Sequence, residues 1–130
     1  MILDTCFLID LMNQREQAIS KLIELEERNE AQKISTISIV ELFQGSVRCN
    51  NTKKEKEKIL FVYQNLLLQT LDEKSAQKSG EIFGEMINKG TPIELADAII
   101  AGTAIVHNEK VLTRNTKHFS RIEGLKIETY

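Results

Sequence analysis

MILDTCFLIDLM, residues 1–12, is the stretch from which the fold is read. Met1 to Leu3 is a short apolar run that stops at the polar pair Asp4-Thr5, as a buried strand ending in a turn does. Apolar residues resume from Phe7 to Met12, which predicts a short helix directly after that strand. The alternation continues outward. A longer helix is expected across Glu16 to Asn29, with Ala18, Leu22 and Leu25 on one face and the other face charged. Lys33 to Ile37 is short, alternating and β-branched, hence a second strand. Ser38 is placed to cap a helix from Ile39 to about Val47.

Asn50-Asn51-Thr52 reads as a turn, after which KKEKEK opens a helix that becomes apolar from Ile59 to Leu67. Leu67 to Leu71 is an expected third strand. Asp72 caps a helix to about Asn88, with Ala76, Phe83, Met86 and Ile87 inward, and Lys89-Gly90 ends it. Thr91-Pro92 opens a helix running from Ile93 to about His107, apolar nearly all round and therefore central. Lys110–Thr113 and Leu125–Glu128 supply the last two strands, the latter at an edge. Strands alternating with helices throughout imply an α/β fold: a three-layer α/β/α sandwich with a mainly parallel central sheet, one domain over residues 1–130.

Composition narrows the function. At 130 residues, 42% hydrophobic and 28% charged, the chain is of ordinary globular type, neither disordered nor fibrous. Seventeen Lys and Arg against nineteen Asp and Glu give a net charge of -2, so nucleic acid is not held by bulk attraction and must meet a local patch. The two cysteines, Cys6 and Cys49, suit buried thiols in a reducing cytoplasm better than a disulfide scaffold. No targeting or transmembrane segment is visible, and a cytoplasmic location is expected.

Three carboxylates stand where carboxylates are costly. Asp4 in MILDTCF, Glu41 in SIVELF and Asp97 in ELADAIIAG each interrupt an apolar run, and an unpaired buried carboxylate costs several kcal/mol. No basic residue lies within those windows, which leaves a divalent cation as the economical partner. A parallel sheet gathers strand C-termini and the helices after them on one edge, so Asp4, Glu41 and Asp97 can converge there. Hard oxygen ligands fit Mg²⁺ or Mn²⁺ better than Zn²⁺, and the chemistry that follows is phosphodiester hydrolysis by an activated water. Local structural uses compete with this reading. Asp4 is placed to cap the following turn, Glu41 to complete a Ser38-x-x-Glu41 capping box, and Asp97 to favour a helix N-terminus.

These residues resemble the PIN domain family, and within it the VapC-like toxin ribonucleases of toxin-antitoxin pairs. The carriers of the resemblance are LDTCFLIDLM with Asp4, TISIVELFQG with Glu41, GTPIELADAIIAGTA with Asp97, and the closing VLTRNTKHFSRIEGLKIETY. The resemblance implies a metal-dependent endoribonuclease acting on RNA, neutralised by a small cognate antitoxin and commonly a homodimer. One departure stands out: the family's fourth acid falls in a Thr-x-Asp pattern, whereas Thr113-Arg114-Asn115 places an amide there. Asn115 still offers an oxygen to a cation or its water. Glu94, three residues before Asp97 on the same helix face, is a candidate fourth carboxylate, or a helix-terminal acid complementing the dipole.

Thr5 and Thr113 are candidates for hydrogen bonds to a metal-bound water or a neighbouring acid, or are locally satisfied hydroxyls. Arg114, Lys117, His118 and Arg121 cluster beside Asn115, where they could guide an RNA phosphate. The alternating Lys53 to Lys58 run is expected to be a solvated helix face, and Asp10 a surface acid or a backbone hydrogen-bond partner. Phe7, Leu8 and Leu11 read as core or as one wall of a groove for an antitoxin helix. The rival reading is a PIN-like module with weak or no catalysis that acts by binding protein or RNA.

Overall fold

In the computed structural model, which describes residues 1–130, the chain runs β1 (Ile2–Leu3), α1 (Thr5–Met12), α2 (Glu16–Glu27), β2 (Lys33–Ser35), α3 (Thr36–Val47) and α4 (Thr52–Tyr63). It continues through β3 (Leu67–Gln69), α5 (Glu73–Asn88), α6 (Leu95–Val106), β4 (Lys110–Leu112), α7 (Thr116–Phe119) and β5 (Lys126–Glu128). The strands form one sheet in the order β3-β2-β1-β4-β5. Every neighbouring pair is parallel, so the sheet expected to be mainly parallel is wholly so.

Side-chain alternation along these short strands builds the two outer layers. Ile2 and Val111 are partners in register and join Ile82, Met86, Ala98, Ala101 and Phe119 in one core, beneath α5, α6 and α7. The next residues, Leu3 and Leu112, point the other way and pack with Ile34, Phe7, Leu8, Leu42 and Ile59, beneath α1 to α4. This is the period of two that puts successive strand residues on opposite faces. Each fully buried side chain of this size contributes about 1.5–3 kcal/mol relative to exposure. The chain leaves β1 first toward β2 and later returns to β4 on β1's other side, so the topological switch lies between β1 and β4. Crevices in such sheets open at the carboxyl ends of the strands there.

Several boundaries differ from the expectation. The second strand ends at Ser35, which is the N-cap of α3, so Ser38 lies inside the first turn and no Ser38–Glu41 capping box exists. The β-branched Thr36 and Ile37 follow the helix because β-propensity is a weak preference that tertiary context overrides. Helix α6 is capped at Glu94, which leaves Pro92 two residues outside the cap instead of at the first helical position. Helix α5 does start from Asp72, whose side chain accepts from the Ser75 amide, and it ends before Gly90 at φ 72°. Its inward face is Ser75, Ser79, Ile82 and Met86, while Ala76 and Ile87 are exposed. The reason is the close approach of α6: a Cβ on Gly102 would stand 2.6 Å from the Ser79 amide nitrogen, so only small residues fit that crossing. Cys6 is half-buried and Cys49 exposed, so the expectation of two buried thiols fails at Cys49, just past the end of α3. The short α7 was not anticipated.

Candidate active site

Asp4 follows β1 directly, and its amide donates to Leu112 O at 3.0 Å, extending the β1–β4 pairing by one bond into the crevice. It occupies the N-cap of α1, yet its carboxylate makes no cap bond. Instead Oδ2 accepts from the Thr113 hydroxyl at 2.6 Å and from the Cys6 thiol at 3.0 Å. Thr113 is the residue after β4, and its Oγ1 in turn accepts from the Asn115 amide at 2.9 Å. With 4% of its surface exposed, Asp4 is a buried charge held from one side only.

Glu41, on α3, accepts from the Thr5 hydroxyl at 2.6 Å, and the same hydroxyl lies 3.0 Å from Ser38 Oγ. Thr5 thus ties the start of α1 to α3. Asp97, in the first turn of α6, lies 3.6 Å through Oδ2 from His118 Nδ1. His118 Nδ1 is also 3.0 Å from the Asn115 side-chain nitrogen. The amide nitrogen can only donate, so Nδ1 accepts from Asn115 and the proton sits on Nε2.

Electrostatics links the acids. Burial pushes the Glu41 carboxyl up, Thr5 opposes, and the charges of Asp4 and Glu94 raise it further. Asp97 is pushed up to about 6, first by burial and then by Asp4 and Glu41, against the pull of His118. No lysine or arginine pairs with Asp4, Glu41 or Asp97. Burial, followed by the charge of Asp4, also raises the Cys6 thiol and keeps it a donor. Four carboxylates therefore feel one another around one crevice without a counter-charge, the condition that a bound cation relieves.

Asp4 and Glu41 each have one oxygen anchored and the other without a protein partner. No three His, Cys, Asp or Glu side chains stand in ligating geometry as they are. Mg²⁺ does not need them to: it keeps several waters and is held by one or two carboxylates rather than a protein cage. The residues fit a hard cation of that kind.

The structure brings Asp4, Glu41, Asp97, Glu94, Thr5, Thr113, Asn115 and His118 together. Lys117 is exposed. Arg121 lines a separate cleft with Lys78, Glu85 and Lys89, away from the acids. Arg114 pairs with Asp10 at 2.9 Å instead of standing free. Asp10 corrects the expectation for it: it is 4% exposed, not a surface acid, and accepts from the Tyr130 hydroxyl at 2.7 Å. The sequence carried the signal, since Asp10 interrupts FLIDLM as Asp4 interrupts MILDTCF. Ser38, Cys6 and Tyr130 gave no such signal. Phe7 and Leu8 are core, whereas Leu11 lines an open cavity of about 430 Å³ with Ile19, Leu22, Phe61, Val62 and Leu66. His107 pairs with Asp72 at 2.8 Å, outside the crevice.

The sequence profile of the PIN domain matches residues 1–125. Ribonuclease VapC1 of Methanocaldococcus jannaschii is 32% identical over 129 residues, covering 97% of this chain and 85% of that protein. The tRNA(fMet)-specific endonuclease VapC of Salmonella typhimurium is 31% identical over 97 residues, 75% of this chain and 74% of that protein. Among solved structures, VapBC2 from Rickettsia felis, bound to a DNA fragment from their promoter, superposes with a TM-score of 0.90 at 27% identity, covering 99% and 97% of the two chains. DNA-bound VapBC from Salmonella typhimurium gives 0.86 at 28% identity, covering 98% and 96%.

Proposed function

This chain belongs to the PIN domain family, and from that premise we propose that it is a metal-dependent endoribonuclease, the toxin of a toxin-antitoxin pair. The observation that carries the proposal is the crevice itself: Asp4, Glu41 and Asp97 lie within mutual repulsion, with no basic residue paired to them. Its relatives' names, ribonuclease and endonuclease, support the same reading.

Asp4, Glu41 and Asp97 would hold Mg²⁺ or Mn²⁺, with Glu94 and Asn115 at the margin. When bound, the cation supplies an activated water and stabilises charge on the phosphate oxygens. The chain's own residues prepare that site. Thr113 and Cys6 fix Asp4 through Oδ2, Thr5 fixes Glu41 through Oε1, and neither carboxylate must reorganise to use its second oxygen. Asn115 orients the His118 ring beside Asp97. The apolar cavity around Leu11, Ile19 and Phe61 is the face we assign to the antitoxin, since the structural neighbours are VapBC complexes. A homodimer and a cytoplasmic location belong to the same proposal, and no helix is long and apolar enough to cross a membrane.

The test is cleavage of labelled transfer, ribosomal and messenger RNAs by antitoxin-free protein with Mn²⁺, Mg²⁺ or chelator, beside Asp97→Asn. Metal-dependent cutting that disappears in the variant is expected. Folded wild type and variant that leave every RNA intact would favour the binding-module reading, which Asn115 in place of an acid supports.

A further inference from the structure

Arg114 differs from an ordinary surface arginine. Its side chain is 59% exposed, yet Nη1 is anchored at 2.9 Å on Asp10 Oδ2, a carboxylate that is itself 4% exposed. The same Oδ2 accepts from Tyr130 at 2.7 Å, and the Tyr130 ring packs edge-on against Phe7 at 4.8 Å between centroids. Cys6 and Asp10 are four residues apart and so share one face of α1. The Arg114 side chain bonds Asp10, and the Tyr130 hydroxyl that also bonds Asp10 lies 3.8 Å from the Cys6 sulfur. The Arg114 backbone lies between Thr113, which holds Asp4, and Asn115, which holds His118, while its side chain is anchored on Asp10.

A guanidinium has five N–H donors, and Asp10 engages one nitrogen of it. The remainder of this largely exposed group is open to solvent, on a residue set between two that touch the acidic crevice. A free arginine spends rotamer entropy each time it grips a phosphate; one braced on a buried carboxylate has that order already. Resting on the ribonuclease reading above, we infer that Arg114 holds a phosphate of the RNA chain at the mouth of the crevice, and that Asp10 and Tyr130 are positioning residues that aim it. A phosphodiester is the chemistry that fits, because its two non-bridging oxygens match the planar fork. This separates Arg114 from Lys117, which is exposed with no such brace, and from Arg121, which faces α5.

The experiment compares wild type, Arg114→Gln, Asp10→Asn, Tyr130→Phe and the double variant Asp10→Asn/Arg114→Gln, each with its Tm. It reads single-turnover cleavage of a transfer RNA pool with Mn²⁺, and affinity for a labelled oligouridylate in chelator. Arg114→Gln is expected to weaken oligouridylate binding about fivefold, to flatten its salt dependence, and to slow cleavage about a hundredfold. Asp10→Asn should slow cleavage about tenfold with affinity held within about threefold, because the charge freed on Arg114 offsets the lost aim. Tyr130→Phe, which removes only a hydroxyl, should do the same more weakly. In the Arg114→Gln background, Asp10→Asn should cost nothing further in rate. If Asp10→Asn costs the same factor with and without Arg114, or if all variants cut like wild type, the brace is merely structural and the inference is overturned while the ribonuclease reading survives. A wild type that neither cuts the transfer RNA pool nor binds oligouridylate overturns both.

Discussion

The paired carboxylates around the sheet and the carboxylates of the crevice at its strand ends are handled in opposite ways. At the edge where the strands begin, Glu109 stands between the Met1 amino group, 2.7 Å away, and the Lys33 ammonium. Burial pushes the Glu109 carboxyl up, but those two cations outweigh it and leave it below its usual range. Glu128, the last residue of β5 and outside the crevice, is likewise lowered, to about 2, because Arg28 and Lys21 stand beside it. At the edge where the strands end, hydroxyls and a thiol donate to Asp4 and Glu41, the His118 ring lies 3.6 Å from Asp97, and none of the three acids has an ammonium or guanidinium partner. The paired edge stabilises the fold. The unpaired acids carry a standing cost, the pattern in which stability is given up at functional sites.

Removing a charge from the unpaired edge is the strongest way to test the contrast. Asp97→Asn should lower RNA cleavage at least about a hundredfold, yet stabilise the metal-free protein by on the order of 1 kcal/mol after solvent screening, read as a higher Tm. A lower Tm in chelator would show that Asp97 is held by contacts rather than strained by its neighbours. Packing comes next. Gly102→Ala drives a methyl against the Ser79 backbone and should cost about 1–3 kcal/mol in denaturant unfolding, displacing the helix that carries Asp97. At the paired edge, Glu109→Gln should lose about 1 kcal/mol by stranding Lys33 and the Met1 amino group, with cleavage kept. Loss of cleavage without loss of stability there would break the division of labour.

The smallest effect is on pH. Asp97 has a folded pKa raised to about 6 from 3.8, so its contribution is full at low pH and lost as pH rises through 6. Glu109 and Glu128 are lowered, so theirs is present above their ordinary value and lost as pH falls toward 2. Metal-free protein should therefore melt highest at about pH 4 to 4.5 and lose stability as pH rises from there to about 6. Saturating Mn²⁺ should flatten the alkaline side of that profile, which melting curves with and without chelator would read. An unchanged alkaline limb would argue that the cation does not sit among these acids.

The order of strands and helices and the three acids were legible because they are local: an apolar run of fixed length, a charge where none belongs. Position within a turn was less so. Ser38 had the capping spacing but lost the cap to Ser35, because the strand's end is set by its partners in the sheet. Asp10 reads as a surface acid in the sequence because its partners, Arg114 and Tyr130, lie more than a hundred residues away in the chain. The serine face of α5 was hidden for the same reason, since Gly102 dictates it from another helix.

By itself the sequence determined that this chain forms an α/β sheet with acids at its strand ends, because periodicity and misplaced charge are properties of neighbouring residues. Only the tertiary structure decided which acids are paired and which repel, and which arginine is braced. Those outcomes depend on distances between segments far apart in the chain, and Coulomb energy and hydrogen bonding are functions of those distances.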